Sequence, residues 1–198
     1  MHLLGRELVI ASHNRGKIIE FERLLAPLGL CLRNAADLGL TEPKETGTSF
    51  AENAAIKARA IAAACGKAVL ADDSGLAVDA LGGDPGIYSA RWAGSTRDFK
   101  MAMQRIETLL AGNVNRRAKF VTALALCAPT GEIEFFTGEV AGVLVCPPRG
   151  ADGFGYDPMF VPDGYTKTFA EMSSEQKARI SHRGAACAEL VQRYAGGG

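Results

Sequence analysis

Apolar and polar positions fall in short blocks along this chain, and the blocks predict alternating strands and helices. Leu8-Val9-Ile10-Ala11 is a run of strand formers bounded by polar residues and predicts a buried strand. Ile18, Phe21, Leu24, Leu25 and Leu28 then recur at helical steps, and Pro27 with Gly29 closes that helix. Ser49-Phe50-Ala51-Glu52 has the form of a capping box, and the Ala-rich helix it opens runs to Cys65 and stops at Gly66. Ala68-Val69-Leu70-Ala71 predicts a second strand, ending at Asp72-Asp73-Ser74-Gly75.

Gly82 to Gly86 reads as loop, and a third helix is expected over Asp98 to Leu110 with Phe99, Met103, Ile106 and Leu110 inward. Lys119 to Leu126, Glu132 to Phe136 and Gly138 to Val145 predict three strands of an antiparallel meander, the first two joined by a turn at Pro129-Thr130-Gly131. Pro147 to Pro162 reads as irregular. The last quarter is helical, with an interruption near Ser181-His182-Arg183-Gly184. Mixed β-α and β-turn-β units indicate an α/β fold with a mixed sheet. No repeat, low-complexity tract or linker divides the chain, so residues 1–198 are read as one domain.

Composition narrows the function. The chain balances 22 Lys and Arg against 22 Asp and Glu. A dedicated nucleic-acid binder carries a basic excess, so none is expected, and a polyanionic ligand would have to be held by local groups. The five cysteines are scattered, with no C-x-x-C pair, which points to free thiols in a reducing compartment. No apolar run approaches the roughly 20 residues of a membrane span. Met1 to Arg6 is short, and His13, Asn14, Arg15 and Lys17 follow too early for a signal peptide. The expected location is cytoplasmic.

Four constellations carry candidate chemistry. Ser12-His13-Asn14-Arg15-Gly16-Lys17 joins a strand to a helix start, where backbone amides and the Lys17 charge suit phosphates; a plain helix cap is the competing reading. Asp72-Asp73 ends a buried strand, where adjacent carboxylates are costly unless a cation or donor compensates them, Mg2+ being the natural one, with Glu45 as a third carboxylate. An acidic turn is the alternative. Gly153-Phe154-Gly155-Tyr156-Asp157-Pro158 offers close backbone approach and a stacking ring, or else a tight turn with Phe154 in the core. Lys177 with Ser181-His182-Arg183 gathers donors suited to ring carbonyl oxygens, or forms a solvated helix face. No Walker A loop occurs.

Taken in order, these blocks resemble the inosine/xanthosine triphosphate pyrophosphatases. The likeness runs from Leu8 to about Leu190. It includes Ser12-x-Asn14-x-x-Lys17, Glu45-Thr46-Gly47, Phe50-x-Glu52-Asn53-Ala54, Lys57-Ala58 and Ala71-Asp72-Asp73-Ser74-Gly75-Leu76. It continues through Leu81-Gly82-Gly83-x-Pro85-Gly86-Ile87-Tyr88-Ser89-Ala90-Arg91, the Gly153 to Pro158 block and Ile180-Ser181-His182-Arg183-Gly184.

The resemblance implies an elongated two-lobed α/β fold with a central mixed sheet flanked by helices, an active-site cleft between the lobes, and a homodimer. It implies Mg2+-dependent hydrolysis of ITP, dITP and XTP to the monophosphate and pyrophosphate. Ser12 to Lys17 would hold the phosphates with Lys57. Asp73 would be general base and metal ligand, with Asp72 and Glu45 also on the metal. Ser74 would touch the substrate, Phe154 would stack on the base, Gly155 and Tyr156 beside it would also bind the substrate, and Asp157 would accept from ring N–H groups. Lys177, His182 and Arg183 would line the base edge. Two departures stand out: Ser12-His13 replaces a common Thr-Gly, and Lys44 replaces an acidic residue before Glu45. Two rivals remain at this point, a related pyrophosphatase for modified pyrimidines and a non-catalytic nucleotide-binding module.

Overall fold

A computed structural model describes residues 7–195 of the chain. The Met1 to Arg6 stretch read above as too short for a leader lies outside the described residues. Among these residues the strands and α-helices follow in the order β1 (Glu7–Ala11), α1 (Arg15–Leu24), β2 (Cys31–Asn34), α2 (Phe50–Cys65), β3 (Val69–Val78), α3 (Ser89–Trp92), α4 (Phe99–Leu109), β4 (Arg117–Cys127), β5 (Ile133–Leu144), β6 (Phe160–Pro162), α5 (Ser174–Ile180) and α6 (His182–Ala195).

The strands form one mixed sheet in the order β2-β1-β3-β4-β5-β6. β1 runs parallel to both β2 and β3, and β5 runs antiparallel to β6. The α/β class with a mixed sheet is therefore as expected. β2 escaped the sequence pattern because it is a four-residue strand whose side chains alternate between exposed and half-buried.

Local chemistry sets the helix ends. Asn14 Oδ1 accepts from the amides of Gly16 and Lys17 and starts α1. Ser49 Oγ accepts from Glu52 N and starts α2, while the Glu52 carboxylate closes on Thr48 N and Oγ1. Gly66 ends α2 at φ +66°, the left-handed conformation that glycine adopts without strain.

Two expectations about strands are corrected. β3 does not stop at the acid pair but continues through Asp72-Asp73-Ser74-Gly75 to Val78. Paired charges let it do so, because each acid finds donors within the fold. The two strands expected on either side of Thr137 are one continuous strand, β5, so Gly138 breaks nothing.

The chain divides into two compact units. The first takes the residues up to Asp73, Thr122–Gly138 and those from Arg183 onward; the second takes Ser74–Val121 and Glu139–His182. Both faces of the sheet in the first unit are covered. Leu8, Ile10, Leu70, Leu124 and Leu126 pack with Phe21 of α1 and Leu190 of α6. Val9, Val69, Ala71 and Ala125 pack with Ala54, Ala58 and Ile61 of α2. The second unit buries its own core, including Leu76, Met103, Ile106, Phe120, Phe160 and Phe169.

Candidate active site

Successive side chains of a strand point to opposite faces of its sheet. In β3, Leu70 lies with the α1 and α6 layer while Val69 and Ala71 lie with α2. Asp72 continues the first series and Asp73 the second, so the neighbouring acids stand on different faces. This decides their chemistry.

Asp72 is wrapped by donors. Arg183 Nε and Nη2 donate to Oδ2 at 3.1 and 2.9 Å, Lys17 Nζ lies 3.1 Å from the same oxygen, and Thr122 Oγ1 donates to Oδ1 at 2.6 Å. Glu20 takes a further Arg183 N–H. Burial alone would raise the Asp72 carboxyl, but Arg183 and then Lys17 outweigh it and hold it well below the usual carboxylate range. The Arg183 guanidinium is raised, because Asp72 and Glu20 outweigh its own desolvation. Lys17 is the loser of this arrangement: desolvation lowers its ammonium despite Asp72.

Asp73 has fewer partners. Asn53 Nδ2 donates to its Oδ2 at 3.1 Å, and Lys57 Nζ is 3.8 Å from Oδ1. Burial pushes this carboxyl up to about 6, with Lys57 and Lys17 opposing the rise. Lys57 Nζ also donates to Glu45 Oε1 at 2.5 Å and to the Asp72 carbonyl at 2.8 Å. Desolvation would lower the Lys57 ammonium, but Asp73 and Glu45 prevail and raise it.

Among the described residues no three His, Cys, Asp or Glu side chains gather as a metal-holding group. The pleat is the reason, since Asp72 is turned to Arg183, Lys17 and Thr122. Glu45 and Asp73 remain, on either side of one ammonium. Two carboxylates with hard oxygen donors fit Mg2+, which keeps waters and substrate phosphates in its remaining positions.

The rest of the first expected group is placed around the α1 N-terminus. Ser12 is buried, with Oγ accepting from Asn14 N at 3.1 Å, and Asn14 is the helix cap. Arg15 begins α1 and is exposed, followed by Gly16, whose amide is capped. His13 Nδ1 lies 3.5 Å from Glu42 Oε2.

The second unit holds the expected base-side residues. Asp157 is buried, and its Oδ2 accepts from Phe154 N at 2.8 Å and from Lys177 Nζ at 2.6 Å. The same ammonium lies 4.5 Å from the centre of the Phe154 ring. A methyl group on Gly153 would stand 2.2 Å from Asp157 Oδ2, and Gly153 has φ +74°, so only glycine fits this turn. Tyr156 serves as a brace: its hydroxyl donates to Ser89 O at 2.8 Å, and its ring meets Phe99 edge-on. His182 stacks on Phe120 with centroids 4.9 Å apart. Ser74 is half-buried on β3, and Gly155 turns the chain at φ +67° beside Phe99. Arg183 belongs to the first unit, where it pairs with Asp72 and Glu20.

The sequence model of the Ham1 family matches residues 8–193. The chain belongs to the Ham1 family. It is 50% identical over 203 residues to a dITP/XTP pyrophosphatase of Agrobacterium fabrum, covering 94% of this chain and 95% of that protein. It is 54% identical over 187 residues to the protein of the same name from Zymomonas mobilis, covering 93% and 90%. Among solved structures, the Staphylococcus aureus Ham1 protein matches with a TM-score of 0.84 at 40% identity, over 96% of this chain and 98% of that one. A HAM1 protein from Coxiella burnetii matches with a TM-score of 0.87 at 36% identity, over the same shares.

Within this Ham1 chain, three residues close to the acids were given no role from the sequence: Asn53, quoted only within a motif, Thr122 and Glu20. Asn53 had a legible signal. It lies one helical turn before Lys57, and both polar residues interrupt the buried Ala54, Ala58 and Ile61 stripe of α2. Thr122 and Glu20 had none, since a threonine in a strand and a glutamate on an amphipathic helix are ordinary.

Proposed function

We propose that this Ham1 chain is a Mg2+-dependent pyrophosphatase that converts dITP, ITP and XTP to the nucleoside monophosphate and pyrophosphate. The observation that carries this reading is Asp73, a buried carboxyl pushed up to about 6, held by Asn53 and flanked by Lys57 and Glu45. A general base works best when its pKa approaches the operating pH. The relatives' common name, dITP/XTP pyrophosphatase, supports the choice of substrate.

Asp73 orients a water and takes its proton as the oxygen attacks the α-phosphorus. The bond from that phosphorus to the bridging oxygen breaks, and pyrophosphate leaves. Bound Mg2+, held by Glu45 and Asp73, would neutralise the triphosphate and the charge developing on the leaving group. Lys17, Lys57 and the Ser12 to Gly16 segment bind the phosphates. Asp72 and Arg183 hold Lys17 in place, and Lys177, His182 and Arg183 line the base edge. Ser74 touches the substrate, Phe154 stacks on the base and Asp157 accepts from its ring N–H groups.

Selection follows from donors. Lys177, His182 and Arg183 donate to a 6-oxo group, whereas a 6-amino group would set donor against donor, at about 1–3 kcal/mol for each group left unpaired. The reading includes a homodimer acting on the cytoplasmic nucleotide pool. The homodimer rests on the motif resemblance and the location on the scattered thiols, and sedimentation equilibrium tests the first.

The deciding experiment is pyrophosphate release from dITP, ITP, XTP, dATP and a modified pyrimidine triphosphate, with and without Mg2+. Turnover of the 6-oxo purines that stops on chelation is expected. A preference for the pyrimidine, or release of no pyrophosphate at all, would refute the reading.

A further inference from the structure

Asn53 occupies a position where α2 otherwise presents small apolar residues to the sheet. It is fully buried next to Ala54 in the first turns of the helix. Asparagine is a poor helix-interior residue because its side chain competes for backbone groups. Here both of its ends are occupied. Nδ2 donates to Asp73 Oδ2 at 3.1 Å, and Oδ1 accepts from Gly47 N at 2.8 Å. Chemistry fixes this orientation: the flipped amide would set NH2 against the Gly47 N–H and a carbonyl oxygen against the carboxylate.

The far end of this bridge is tight. A Cβ on Gly47 would stand 2.7 Å from Glu52 Cβ and 2.8 Å from Asn53 Oδ1. Gly47 follows Glu45 by two residues. Lys57, one turn beyond Asn53 on the same helix, holds the Glu45 carboxylate at 2.5 Å. The loop carrying Glu45 is therefore tied to α2 at its backbone by Asn53 and at its side chain by Lys57.

We propose that Asn53 is a positioning residue with two simultaneous tasks: it aims the Asp73 carboxylate and it docks the loop that carries Glu45. With Oδ2 accepting from Asn53, Oδ1 is the oxygen assigned to the attacking water. One amide thus couples the orientation of the base to the placement of the second metal ligand. Aspartate, with no N–H to give Asp73, cannot replace it, and alanine reaches neither partner. The inference rests on Asp73 being the base.

The test compares Asn53→Ala, Gly47→Ala and Ile61→Ala, the last a variant in the apolar layer that α2 packs on the sheet. Two quantities are read: kcat and KM for dITP, and Mn2+ binding by water-proton relaxation on nucleotide-free protein. Asn53→Ala should lower kcat about 10–100-fold with a much smaller change in KM, and should weaken Mn2+ binding by a similar factor. Gly47→Ala should weaken Mn2+ binding and recover most of its kcat at saturating metal. Ile61→Ala should lose stability but keep kcat and Mn2+ affinity. Asn53→Ala falling no further in kcat than Ile61→Ala, or unchanged Mn2+ affinity in both Asn53→Ala and Gly47→Ala, would overturn the inference. A wild-type protein that releases no pyrophosphate would instead overturn the functional reading, and the Mn2+ series would still read the docking of the loop.

Discussion

Arg183 places Nε and Nη2 on a single oxygen of Asp72, at 3.1 and 2.9 Å, with both side chains sealed from water. A buried pair of this kind contributes little over an apolar substitute, but breaking it is costly because a charge is left stranded. Arg183→Leu is expected to destabilise the fold by about 3–5 kcal/mol, read by urea unfolding of nucleotide-free protein. The sign with pH follows from Asp72, whose folded pKa is depressed. Its contribution is present above the ordinary aspartate value of about 4 and is lost as pH falls below it. The gap between wild type and Arg183→Leu should therefore narrow below about pH 4. Equal stability of the two proteins at neutral pH would show that Lys17 and Thr122 satisfy Asp72 unaided.

Asp73 carries the opposite sign. Its carboxyl is pushed up to about 6, so ionising it in the fold opposes stability, fully above that value and not at all below the ordinary aspartate range. Asp73→Asn should abolish nearly all turnover yet raise the melting temperature at pH 8, by an amount worth about 1–3 kcal/mol. Little of that gain should remain at pH 4. A variant less stable than wild type at pH 8 would contradict the raised pKa; near-normal kcat would remove Asp73 from the role of base.

Lys17 lies 3.1 Å from Asp72 and is lowered by burial. Lys17→Ala should chiefly raise KM for triphosphates, and added Mg2+ should not restore it. Unchanged kinetics would leave Lys17 as a counter-charge for Asp72 and nothing more.

The Gly153 turn permits a sharp contrast on the base side. Phe154→Ala should reduce kcat/KM for dITP and dATP by similar factors, since stacking contributes about 1–3 kcal/mol to any base. Gly153→Ala forces a methyl group to 2.2 Å from Asp157 Oδ2 and should disturb the Asp157 and Lys177 pair as well. Its loss should fall harder on dITP than on dATP. Parallel losses in both variants would detach Asp157 and Lys177 from base selection.

Much of this arrangement was legible in the chain. The α1, α2 and α4 patterns, the β1 and β4 runs and the break at Ser181 follow from periodicity and caps, which are local properties. The acid pair was recognisable as a candidate, but its division of labour was not. Asp72 is decided by Arg183, which lies 111 residues away in the chain, and Asp73 by Asn53, 20 residues away. The pairing of Arg183 with Asp72 was not legible because the pattern shows which residues adjoin it in sequence, Ser181 and His182, and not which face α6 presents to the sheet. The length of β3 was missed for a related reason: two adjacent carboxylates look like the end of a buried strand until their distant donors are known.

The two-residue period of β3 has an evolutionary corollary. Deleting or inserting one residue upstream within that strand would turn each acid to the opposite face of the sheet, away from the donors it now has. Point substitutions in β3 can be graded in effect, but single-residue insertions and deletions cannot. Natural length variation in this chain should be confined to its loops, and a scan of one-residue deletions should find Val69 to Asp73 among its least tolerant positions.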